Sequence, residues 1–266
     1  TNMNKYISTL MSKMTIDEKI GQLNLWGVGD IAGGNVGAIL GLRGVKPIRD
    51  IQKIAVKKSR LGIPLLFAEN IVHGYQTTFP IPLGLSCSWD LKKIEESAHI
   101  AAIEASADGL NWTFAPMVDI CHDARWGRIA ESSGEDPYLG SLIAAAMVNG
   151  FQGTLSSDSD ILACVKHFAL YGAVESGRDY NTVDMSKYRM YNEYLPPYKA
   201  AVEAGAGSLM TSFNTINGIP STANKWLLTD LLRGQWHYRG FVTTDYTAIA
   251  ELQQHGIAKN LQQASI

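Results

Sequence analysis

Cysteine is scarce in this chain: Cys87, Cys121 and Cys164 stand far apart, with no CxxC pair among them. That excludes a disulfide framework and a Cys-rich zinc site, and leaves the three to be read as buried free thiols. An excess of either charge is also lacking. With 23 Lys and Arg against 25 Asp and Glu the net charge is −2, so there is no basic face of the kind that binds nucleic acid. No apolar run reaches the roughly 18 residues of a membrane span. No secretory leader opens the sequence, which therefore reads as cytosolic or as a mature form whose leader has been removed. Nor is there a linker-like stretch to divide the chain. The partner these absences leave open is a neutral or small molecule.

What is present is the composition of an ordinary globular protein, 46% apolar and 18% charged over 266 residues, long enough for one sizeable α/β core. Apolar runs predict strands at 23–26, 36–40, 62–68, 111–116, 161–168, 207–213 and 240–245. Between them, amphipathic or Ala-rich segments predict helices at 5–21, 47–60, 89–108, 138–152, 186–204 and 225–233. The first opens its second part on a capping-box pattern at Thr15 and Glu18, and Pro196-Pro197 is expected to kink or interrupt the fifth. Strands alternating with helices favour a parallel sheet with helical crossovers. The turn at Gly33-Gly34 lacks the flanking residues of a phosphate loop.

The last strand stops abruptly on Asp245. A parallel barrel delivers catalytic groups from the C-terminal ends of its strands, but Asp is also a favoured helix N-cap, and helical sequence follows it. Local sequence leaves both roles open. The strand at 161–168 ends in Lys166-His167, and because neighbours on a strand point to opposite faces, one is expected to aim into the barrel mouth and the other into its wall. The loop at 117–137 gathers Asp119, His122, Asp123, Arg125, Arg128, Glu131, Glu135 and Asp136 around Trp126, a charge density that suggests directed side chains. The loop at 71–84 has the length of a functional loop.

Taken in order, Ile63-Pro-Leu-Leu, Val72-His-Gly74, Phe79-Pro-Ile-Pro-Leu-Gly84, Ala115-Pro-Met-Val-Asp119, Asp123-Ala-Arg-Trp-Gly-Arg128, Gly134-Glu-Asp-Pro-Tyr138, Val165-Lys-His-Phe168, Tyr180-Asn-Thr-Val-Asp-Met185 and Gly240-Phe-Val-Thr-Thr-Asp245 resemble the blocks of family 3 glycoside hydrolases, in particular their bacterial β-glucosidases. The resemblance covers nearly the whole chain. It implies an α/β fold of the (β/α)8 TIM-barrel type, truncated after strand 7, with 1–266 as a single incomplete catalytic domain and the C-terminal α/β sandwich domain absent. It implies a retaining, exo-acting β-glucosidase that removes terminal β-D-glucosyl residues from a β-glucoside or oligosaccharide. No cofactor or metal is expected, nor any nucleic-acid or membrane partner, and the location is expected to be periplasmic or secreted. By position, Asp245 matches the nucleophile, while Arg128, Lys166 and His167 match residues that hold the sugar, with Arg178 in a variable loop beside them.

The sequence departs from the pattern in three respects. Asn70 stands where the family has an Asp that grips the sugar, and a neutral acceptor makes the weaker hydrogen bond. His122 and Ala124 replace an Arg and a Pro, which is expected to loosen the loop that carries Arg128. The chain stops at Ile266, so a second chain or copy is a candidate to complete the barrel, and the acid/base residue, which multidomain members take from the later domain, is unassigned. These departures raise a second reading, a sugar-binding or structural barrel fragment without catalysis.

Overall fold

A computed structural model describes residues 2–265, and the chain divides into two compact units, Thr1–Glu69 with Glu104–Thr113 and Asn70–Ile103 with Phe114–Ile266. The first holds helices α1 (Asn2–Lys13) and α2 (Ile16–Gln22), strands β1 (Leu25–Trp26) and β2 (Ala38–Leu40), helix α3 (Val45–Lys58), and strands β3 (Leu66–Glu69) and β4 (Trp112–Thr113). The capping box at the start of α2 forms as expected. Glu18 N–H donates to Thr15 Oγ1 at 3.2 Å, and Thr15 N–H donates to Glu18 Oε2 at 2.8 Å. It splits the single segment expected at 5–21 into two helices. The four strands pair in parallel, with Leu25 opposite Ala38, Ala38 opposite Leu66 and Ala68 opposite Trp112. Parallel neighbours need a crossover. Between β2 and β3 that crossover is α3, which buries Ile48 and Ala55. Ile39, Phe67, Ala68 and Trp112 form the dry centre of this unit.

The second unit contains the short helix α4 (Pro82–Ser86), most of α5 (Leu91–Ala107), α6 (Pro137–Gln152) and strand β5 (Leu162–Phe168). There follow α7 (Lys187–Arg189), α8 (Pro196–Glu203), strands β6 to β9 (Ser208–Thr211, Thr215–Ile216, Ile219–Pro220 and Phe241–Thr243), and helices α9 (Ala248–Glu251) and α10 (Leu261–Ala264). Strands β5, β6 and β9 are parallel, with Cys164 opposite Ser208 and Leu209 opposite Val242. The single helix expected over 186–204 is instead two, joined by a π-helical turn at Met190–Tyr194. Pro196 and Pro197 occupy the first positions of α8, where a missing N–H leaves no helical bond unmade.

The hairpin of β7 and β8 was not anticipated among the seven expected strands. Its turn is Asn217-Gly218, with φ of 49° and 81°, the pair of positive values that a type I′ turn requires. Cys121 and Cys164 are buried thiols as expected, but Cys87 is exposed, because it caps the end of the short α4 rather than lining a strand.

Candidate active site

The site in the second unit begins where the chain leaves Pro116. The segment after it runs beside β5: Lys166 N–H donates to Pro116 O at 3.1 Å, and Val118 N–H donates to Lys166 O at 2.9 Å. Asp119 follows at once and is driven into the interior, 1% exposed. A buried carboxylate must be hydrogen-bonded, and three groups supply this. His167 N–H and Nδ1–H both donate to Asp119 Oδ2, at 3.0 and 2.9 Å, while the Tyr198 hydroxyl lies on Asp119 Oδ1 and 2.7 Å from His167 O. Because a carboxylate accepts only, the imidazole proton sits on Nδ1 and Nε2 is left bare. Burial holds the His167 pKa below its ordinary value against the pull of Asp119, so the ring is neutral at pH 7. Nε2 lies 3.6 Å from Asp245 Oδ2.

Lys166 is as deeply buried, at 3% exposure. Its ammonium donates to Asn70 Oδ1 at 3.0 Å and lies 4.0 Å from Glu131 Oε2. Burial lowers its pKa, and Glu131 opposes that shift. Lys166 and His167 reach different partners, Lys166 turning to Asn70 and Glu131 and His167 to Asp119 and Asp245. The register of β5 against β6 slips between Val165 and Phe168, and an irregularity of this kind re-aims side chains. Both residues join one connected group with Asn70, Glu131 and Asp245.

Arg128 completes that group through Glu131, its Nε donating to Oε1 at 2.7 Å and its Nη2 to Oε2 at 3.1 Å. Burial works against the guanidinium charge, but the Glu131 hydrogen bonds and charge outweigh it and raise the Arg128 pKa. Burial likewise pushes the Glu131 carboxyl up, and Arg128 then Lys166 bring it below its ordinary value. The Arg-Trp-Gly-Arg block is anchored by Trp126, fully buried, whose Nε1–H donates to Asp179 Oδ1 at 2.9 Å. His122 lies 3.8 Å from both Glu135 and Glu193 and packs edge-on against Tyr194.

Asp245 follows β9 and is 17% exposed at its side chain. It is not the cap of the next helix: α9 starts after Thr247, and the Asp245 carboxylate accepts the N–H of Tyr246 at 2.7 Å. Its other oxygen is the one that faces His167. Arg178 is exposed and makes no side-chain hydrogen bond or ion pair among the described residues, so the structure does not bring it to the group. Glu69 belongs to the first unit, where it accepts from Arg43 Nε at 2.8 Å.

Sequence reasoning assigned no role to Asp119, Glu131, Tyr198 or the ring of Tyr171, which packs edge-on against both Trp126 and His167 at 5.2 Å between centroids. Asp119 and Glu131 were visible within the charged loop; Tyr198, on a helix, carried no signal. No cluster that could hold a metal occurs among the described residues. A groove of about 430 Å³ in the first unit, lined by Val45, Ile48, Val56, Phe67 and the basic side chains of Arg49 and Lys53, has no carboxylate in its wall.

The glycosyl hydrolase family 3 N-terminal domain model matches residues 15–266. The chain is 46% identical to a periplasmic beta-glucosidase of Salmonella typhimurium, over 97% of this chain and 35% of that protein. It is 33% identical to a beta-xylosidase of Formosa agariphila, over 99% and 35%. Among solved structures, a beta-glucosidase from Listeria innocua in complex with isofagomine superposes with a TM-score of 0.94 at 44% identity, covering 98% of this chain and 39% of that one. The chain thus spans about a third of the length of the curated relatives it matches, and its fold class is the expected α/β barrel type.

Proposed function

The chain belongs to glycosyl hydrolase family 3, and from that premise we propose that it is the barrel portion of a retaining, exo-acting β-glucosidase with Asp245 as the nucleophile. The observation that carries this reading is the convergence on one carboxylate: Asp245 Oδ2 lies 3.6 Å from His167 Nε2, and His167 adjoins the Lys166–Glu131–Arg128 cluster. In a retaining reaction the carboxylate attacks C1, the glycosidic C1–O bond breaks, and a glycosyl ester forms that water later hydrolyses. Lys166 and Arg128 donate to sugar hydroxyls. His167, with its proton committed to Asp119, accepts a hydrogen bond from a sugar hydroxyl at Nε2 and thereby orients the ring over Asp245. Glucose is favoured over xylose by the nearer kinship with the Salmonella glucosidase, and the same kinship favours a periplasmic or secreted location. No helix among the described residues is long and apolar enough to cross a membrane.

An aryl β-glucoside with a good leaving group is the substrate for the test, because its departure needs little protonation. The wild-type chain should release the phenol faster from the glucoside than from the matching xyloside, and Asp245→Asn should lower the rate on the order of a thousandfold or more. A folded Asp245→Asn variant that keeps the wild-type rate would overturn the assignment. Asn70, a neutral group 3.0 Å from Lys166 Nζ, supports a second reading, sugar binding without turnover. Calorimetric binding of glucose by a chain inert to the aryl glucoside would favour it.

A further inference from the structure

Tyr180 stands in a conformation its side chain does not favour. Its φ is 66°, a left-handed value at which a bulky residue is an outlier, and such strain concentrates at ligand clamps. A glycine would sit there without penalty. Something must hold the aromatic ring in place, and one partner is visible: Tyr180 stacks on Phe213, with centroids 4.2 Å apart and planes 27° apart. That contact takes one face of the ring. Tyr180 is nevertheless 49% exposed, so packing on Phe213 leaves much of its surface uncovered.

The ring is linked to the catalytic group through Tyr171. Tyr180 meets Tyr171 edge-on at 6.4 Å, Tyr171 meets His167 edge-on at 5.2 Å, and His167 touches Asp245. Burial and the negative charges of Glu251 and Asp245 raise the Tyr180 hydroxyl pKa. The loop that presents it is fixed at several points. Asp179 accepts from Trp126 on one side. On the other, Val183 N–H donates to Thr215 O at 2.9 Å, Met185 N–H donates to Asn217 Oδ1 at 3.0 Å, and the Thr182 and Thr215 hydroxyls meet at 2.6 Å. The hairpin of β7 and β8 thus serves as a brace for this loop.

We propose that Tyr180 is the stacking platform for the second pyranose ring of the substrate, the one on the leaving side of Asp245. This inference rests on the glycosidase reading of the site. The exposed face of an aromatic ring is electron-rich and attracts the C–H groups that an all-equatorial pyranose presents on its faces. A platform held rigidly in advance loses little freedom when the sugar arrives. Tyr180 therefore contributes to the choice of disaccharide and leaves recognition of the terminal glucose to Arg128, Lys166, His167 and Asn70.

The test is calorimetry of glucose, and of thiocellobiose and thiolaminaribiose, whose sulfur linkages resist hydrolysis. Wild-type chain should bind the better thiodisaccharide more tightly than glucose. Tyr180→Ala should lose that advantage, by about threefold to tenfold, with glucose affinity unchanged. Tyr180→Phe, which keeps the ring, should retain it. Tyr180→Leu, which keeps bulk without a π face, should behave as Tyr180→Ala and guards against a loop collapse in the smaller variant. Equal weakening of glucose and thiodisaccharide would make the ring a mere prop, and an unchanged ratio in the Ala and Leu variants would also overturn the platform. A wild-type chain that binds no sugar would overturn the glycosidase reading and the platform with it, an outcome distinct from failure at Tyr180 alone.

Discussion

At the residue scale, two buried bases set the behaviour of the pocket. Lys166 is held by a neutral acceptor, Asn70, and by Glu131 at the limit of ion-pair distance. An Asp at position 70 would offer a sugar hydroxyl a charged acceptor in place of the neutral amide, and such a charge-assisted hydrogen bond is about twice as strong. Asn70→Asp should therefore raise kcat/KM on an aryl glucoside by about tenfold, and a steady-state assay showing no gain or a loss would contradict that role for the position. His167 makes a prediction about pH. Its folded pKa lies below the unfolded one, so the unfolded chain takes up a proton first as the solution becomes acidic. The associated stability is full above about pH 6.5 and is lost as pH falls through the interval down to the folded pKa. Glu131, also depressed, adds a second loss that begins below about pH 4.5. Urea midpoints should fall in these two stages, and His167→Gln should flatten the first while keeping the second. That Lys166, His167 and Asp245 stand at the ends of strands was legible because strand ends on polar residues are conspicuous. The tautomer of His167 was not, since it depends on Asp119, 48 positions away in the chain, and on a helix residue, Tyr198.

At the scale of elements, helix and strand types followed the hydrophobic periodicity, while their ends followed local backbone chemistry. The π-helical turn before Pro196 and the hairpin at Asn217-Gly218 are cases of the second kind. The Asn-Gly pair is a readable turn signal, but its flanking strands are two residues each, too short for alternation to register. Close helix packing was also hidden in the sequence. A Cβ on Gly150 in α6 would come within 2.3 Å of the Glu95 carbonyl oxygen and 2.7 Å of Ala98 Cβ. Alanine favours a helix over glycine by about 1 kcal/mol, yet backbone atoms of α5 cannot step aside as a side chain would, and overpacking costs about 1–3 kcal/mol. The clash should win. Gly150→Ala is expected to lower stability by about 1–2 kcal/mol in urea unfolding, and a stabilised variant would show that α5 and α6 do not meet this closely.

At the scale of the whole molecule, kinship and fold agree. The parallel strand and helix alternation legible in the sequence is that of the matched family domain, and Asn70, Arg128, Lys166 and His167 could be singled out from ordered motifs. The polar network beneath it could not, because it is made by tertiary approach between loop 117–137, β5 and α8. In the proposed reaction this network presents Asp245 to an anomeric carbon. Incubation with a 2-deoxy-2-fluoro-β-glucoside bearing a good leaving group, followed by peptide mass spectrometry, tests it most directly, since the fluorine slows hydrolysis of the glycosyl ester. The expected result is one fluoroglucosyl adduct on the peptide containing Asp245, absent in Asp245→Asn. A folded chain left unlabelled, or labelled on another carboxylate, would contradict the account.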